Sequence, residues 1–148
     1  MLFVDGGNNC VSIGTSTDHG GELNIETSGN TTNLALVCTD GDASAGPNLV
    51  LYRKSSSPAD NDDLATIDII GRNDNSQDVT YAQIKAVLLD ASDGTEDARL
   101  EFYRMIGGTS SPDLQLNSEG VVLNEGSGDR DFRVESNGNT HAFFVEGS

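Results

Sequence analysis

The sequence predicts an all-β fold, and three observations predict it. Apolar residues are gathered into clusters of strand length rather than scattered. Gly, Asn, Asp, Ser and Thr bound these clusters. They favour turns for separate reasons: glycine tolerates positive φ, and the short polar side chains bond their own backbone. Where a cluster is long enough to read, its side chains alternate with period two, as in Ala65-Thr66-Ile67-Asp68-Ile69-Ile70, which sets Ile67 and Ile69 against Thr66 and Asp68. Short antiparallel strands packed as a sandwich fit that pattern.

In chain order, Leu2-Phe3-Val4 is the first strand candidate, running into Asp5-Gly6-Gly7. Asn9-Cys10-Val11-Ser12-Ile13, Leu23-Asn24-Ile25, Leu34-Ala35-Leu36-Val37-Cys38 and Leu49-Val50-Leu51-Tyr52 follow as short candidates. After residues 65–70 the longest candidate runs over residues 80–90. Ala82, Ile84, Ala86 and Leu88 share one face there, and Tyr81, Gln83, Lys85, Val87 and Leu89 the other, so its second half is apolar on both sides. A strand sandwiched at its end, or one entering a subunit interface, gives that shift. A helix is the competing reading, since Ala, Gln, Lys and Leu all tolerate one.

Arg99-Leu100-Glu101-Phe102-Tyr103-Arg104-Met105 alternates again and fits as the hairpin partner of that strand, across a loop carrying Asp93-Gly94. Leu114-Gln115-Leu116, Val121-Val122-Leu123, Phe132-Arg133-Val134 and Phe143-Phe144-Val145 complete the series. Residues 39–48 and 55–63 are loop-like by composition, and neither is biased enough for an interdomain linker. A single β-rich module over residues 1–148 is therefore expected.

The material for a core is thin: 35% of residues are apolar, 5% are aromatic, and there is no Trp. Apolar burial has to offset the ordering entropy of every residue, so oligomerisation is an expected remedy. With 24 acidic against 8 basic residues the net charge is −16, which disfavours nucleic acid and anionic membrane as partners. Such charge is also a mark of disorder, but clustered apolar residues argue against it. No apolar stretch approaches the ~20 residues that cross a bilayer, so neither membrane insertion nor classical secretion is expected. Cys10 and Cys38 are read as free packing thiols, a single disulfide being the alternative.

The end of the sequence restates its beginning, with Phe143-Phe144-Val145-Glu146-Gly147-Ser148 matching Leu2-Phe3-Val4-Asp5-Gly6-Gly7 in character. A match so far apart makes the unit a whole domain, one period of an array suited to a fibre or a stack.

Several blocks carry a resemblance: Ser55-Ser56-Ser57-Pro58-Ala59-Asp60-Asn61-Asp62, Ile69-Ile70-Gly71-Arg72-Asn73-Asp74, Thr80-Tyr81-Ala82-Gln83-Ile84, Asp90-Ala91-Ser92-Asp93-Gly94-Thr95-Glu96-Asp97 and Leu100-Glu101-Phe102. In order and spacing they resemble a structural module of tail-fibre and appendage proteins of tailed bacteriophages, especially marine ones. Val11-Ser12-Ile13-Gly14-Thr15 is similar to a short strand that recurs in such fibres, and Asp131-Phe132-Arg133-Val134-Glu135-Ser136 to the segment leading into the next copy. The resemblance implies an intertwined trimeric β-fibre module on the virion surface, synthesised in the host cytoplasm, assembled with itself and other virion proteins, and engaged in host attachment, with a surface glycan as one receptor class. It implies no chemistry and no cofactor. Such modules normally sit in longer chains, so a fibre segment and a small capsid decoration protein both remain open.

The residues read as a candidate interface are Val87, Leu88, Leu89, Leu100 and Phe102, with Phe3 and Phe144 where copies would stack end to end. Asp60-Asn61-Asp62-Asp63 and Asp74-Asn75-Ser76-Gln77-Asp78 offer calcium-type oxygens without the spacing of an EF-hand loop, and solvated turns are the plainer reading. His19 and His141 neighbour no nucleophile or second ligand, and the paired carboxylates Glu96 and Asp97 lack the aromatic platforms usual at sugar-cleaving sites. A non-enzyme is expected. The alternative from another class is a monomeric carbohydrate-binding β-sandwich, with or without calcium.

Overall fold

The computed structural model describes residues 2–7, 10–17, 19–44, 46–126, 128 and 132. Among them the fold is all-β, with no helix. The chain divides into two compact units, Met1–Val50 and Leu51–Ser148.

The first unit holds a three-stranded sheet: β1 (Leu2–Asp5), β2 (Cys10–Ile13) and β3 (Leu23–Ile25) in the order β1-β2-β3. β1 pairs with β2 antiparallel and β2 with β3 parallel. Its interior is largely polar: Cys10, Ser12, Thr15 and Asn24 are buried, and the Asn24 amide donates to the Gly21 carbonyl at 2.9 Å. Gly14 closes β2 with φ +88°, where a Cβ would stand 2.1 Å from the Glu26 carbonyl oxygen, so only glycine lets β2 and β3 approach here.

The second unit is a five-stranded antiparallel meander: β4 (Asp62–Arg72), β5 (Asp78–Asp90), β6 (Asp97–Ile106), β7 (Thr109–Asn117) and β8 (Gly120–Leu123), each beside its neighbour in sequence. Turn chemistry explains the order. The Asn73 carboxamide oxygen accepts the amides of Asn75 and Gln77 at 3.0 and 2.9 Å and closes the first hairpin. Asp90 accepts the Ser92 amide at 2.8 Å and the Thr95 hydroxyl at 3.2 Å in the second, where Gly94 takes φ +87°. Gly107 and Gly108 both have positive φ, as a two-residue hairpin whose twist matches its strands requires. The competing helix over residues 80–90 is not formed; both edges of β5 are taken up by β4 and β6.

Two expected strands are absent. Residues 34–38 and 49–52 lie outside any strand, and among the described residues no backbone hydrogen bond joins them to another segment. Strand propensity alone does not hold a strand: the main-chain groups need a partner. Phe132 is exposed and outside any strand, whereas residues 133–134 and 143–145, with the end of the proposed repeat, lie outside the described residues.

Candidate assembly interface

Register sorts the side chains of the meander into two unlike faces. Ile67, Ile84, Phe102, Leu114 and Leu123 stand opposite one another in a row crossing all five strands. Beside it runs Ala65, Ala86, Leu100, Leu116 and Val121. A third row runs Ile69, Ala82, Arg104 and Ser111, with Arg104 paired to Asp113, and at the other end of the face Asp62, opposite Leu88, pairs with Arg53. The face is apolar and largely open: Ile67, Ile69, Leu116, Val121 and Leu123 are all exposed. Burying such a side chain fully is worth about 1.5–3 kcal/mol, so each half-open one leaves on the order of 1 kcal/mol unrealised.

The opposite face is polar and better covered. Glu101 and Gln115 are 1% and 6% exposed, and the Gln115 amide donates to Glu101 Oε1 at 2.8 Å. The Tyr103 hydroxyl donates to Glu101 Oε2 at 3.0 Å, and Arg99 Nε stands 2.9 Å from Oε1. Burial, then the hydrogen bond and repulsion from Glu101, push the Tyr103 hydroxyl above its usual range. Lys85 pairs with Asp63 at 2.8 Å, and the Gln83 amide donates to Asp68 at 2.6 Å. Val87, 3% exposed, shares this face. With Cys10 it is one of the two buried apolar residues among the described residues, which therefore hold almost no apolar core.

The residues expected at an interface are thereby placed. Leu88, Leu100 and Phe102 belong to the apolar face and are half-buried. Val87 belongs to the polar face, and Leu89 is the extra residue of a bulge between Leu88 and Asp90. Strict alternation also breaks at Tyr81, a second bulge, whose ring lies over Gly71 at 3.1 Å from where a Cβ would stand. Phe3 sits on β1 with exposed Leu2 and Val4, whereas Phe144 lies outside the described residues. Reading from sequence missed the buried Glu101, because a carboxylate between two arginines reads as a solvated face.

Elsewhere the chemistry is local. Asp62 accepts the Ala59 amide at 3.0 Å and pairs with Arg53 at 3.0 Å. The first bond chiefly holds its carboxyl below the usual range, and the second assists. Asp60 accepts the Ala91 amide at 3.0 Å and ties the start of β4 to the β5–β6 turn. Among the described residues no three acidic, histidine or cysteine side chains converge as a metal site. An open cleft of about 380 Å³ is lined by His19, Leu23, Asn24, Ile25, Glu26, Thr27 and Asn33. Within it His19 Nε2 lies 3.0 Å from Glu26. The Thr15 hydroxyl, then His19, hold the Glu26 carboxyl below its usual range. His141 lies outside the described residues, Cys10 is a buried free thiol and Cys38 an exposed one.

No family model matches the chain, and no curated protein matches it.

Proposed function

We propose that the chain is a non-enzymatic virion structural protein, a homotrimeric β-module of a bacteriophage fibre or appendage that serves assembly and host attachment. One observation carries the self-assembling part of this reading: the row Ile67, Ile84, Phe102, Leu114 and Leu123 crosses a whole sheet on a face that is left largely open. A soluble chain with few buried apolar residues gains most by covering such a face. The virion setting and the number three rest on the resemblance of the central blocks. A capsid decoration subunit is the same reading at another place on the particle. Electron microscopy of the purified chain tests it: threefold particles or end-to-end rods support it, and isolated compact monomers contradict it.

The second reading, a monomeric glycan-binding module, draws on the open cleft beside His19 and Glu26, lined by polar and apolar side chains alike. Calorimetric titration with host-surface polysaccharide decides it, and stabilisation by calcium that is lost in Asp62→Ala would extend it to a calcium-dependent lectin.

A further inference from the structure

Two apolar segments pair with no other segment among the described residues. Residues 34–38 and 49–52 carry no charge, and Val37, Val50 and Tyr52 are each more than 70% exposed. Their backbone is unpaired among the described residues. The loop between them is closed rather than splayed, since a Cβ on Gly46 would stand 3.1 Å from Cys38 Sγ. Within the loop Asp40 and Asp42 accept the amides two residues on, at 3.3 and 2.6 Å. Along the chain, residues 34–38 and 49–52 are thus two strand-like apolar segments joined through an acidic, self-bonded tip, together called the arm.

We infer that this arm of one copy lies on the apolar face of the next copy's five-stranded sheet; the inference deepens the homotrimer reading and rests on it. Charge selects the occupant. At −16 per chain, copies repel one another wherever carboxylates meet, and the arm segments and the apolar face are surfaces free of net charge. An arm given to one neighbour and received from another adds its own apolar surface to that of the open rows, so each copy buries more than the face alone offers. Arm on face joins two different surfaces, so where each copy gives its arm to one neighbour and receives one from another the contact is head-to-tail and closes as the ring of the trimer reading.

The arm brings its own probe, the exposed Cys38 thiol. Intact wild-type chain is co-refolded with a second chain carrying Cys38→Ser and one face cysteine, tested in turn as Ile67→Cys, Leu116→Cys and Leu123→Cys. The mixture is oxidised, and solution mass is measured in parallel. The expected result is a disulfide joining the two different chains. Hydrogen exchange at residues 35–38 and 50–52 is also expected to slow about tenfold or more relative to the loop tip, as main-chain bonds form. A trimer in which those amides exchange like the tip overturns the inference and leaves the trimer standing. So does a trimer that cross-links only when thiol and face cysteine are carried on one chain. A monomer overturns both.

Discussion

The Gln115 amide meets the Glu101 carboxylate across the β6–β7 pair at 2.8 Å, and both side chains are buried although their sheet leaves isoleucines and leucines of its other face in the open. The usual order of a two-faced sheet is inverted. A polar network of fixed geometry holds one side, and the greasy side is offered outward. That inversion is the physical core of the assembly reading.

Removing the centre of the network tests its weight. Glu101→Ala leaves the Gln115 amide and the Tyr103 hydroxyl without their acceptor and the Arg99 guanidinium without its counter-ion, and is expected to cost about 2–3 kcal/mol. The readout is a lowered urea midpoint at fixed protein concentration. Arg72→Ala, which breaks an ion pair whose side chains are 65% and 68% exposed, should change stability by less than about 0.5 kcal/mol.

Acid and alkali act through different residues. The Ser92 amide chiefly, with the Thr95 hydroxyl, holds the Asp90 carboxyl below 3.8, so its contribution is present above pH 3.8 and is lost as pH falls through the folded value. Asp90→Asn should flatten that limb. The Tyr103 hydroxyl is raised above 10.0, so its contribution is complete below pH 10 and fades as pH rises through the folded value. Tyr103→Phe should remove the alkaline loss, measured by denaturant midpoints across pH.

The first unit depends on one glycine. Gly14→Ala combines positive φ with a 2.1 Å clash against backbone, which β3 cannot accommodate. Amide exchange in β2 and β3 should rise steeply, with the β4–β8 meander unaffected.

Self-association should strengthen with salt. Raising ionic strength from 0.01 to 0.15 M shortens the screening length from about 30 to about 8 Å, which weakens repulsion between chains of charge −16 while apolar contacts persist. Sedimentation at the two salt levels reads this directly, and tighter association at low salt would contradict it.

Much of the fold was legible because period-two alternation and turn residues agree. Ile67 and Ile69 announced β4, Asp93-Gly94 the β5–β6 hairpin, and Leu100 with Phe102 the apolar side of β6. What was not legible depends on partners. Residues 34–38 and 49–52 have strand composition but no neighbour to bond. The bulges at Tyr81 and Leu89 shift register by one residue without any local signal. Glu101 became a buried residue only when Gln115 and Tyr103 were brought beside it.

The central claim is that this chain completes its core with other copies of itself. Light scattering of the intact chain over a tenfold concentration range, with a chelator present and beside Phe102→Asp, tests it most directly. A stable mass of three chains, falling to one chain in Phe102→Asp, is the predicted result. A compact wild-type monomer at every concentration would contradict the account.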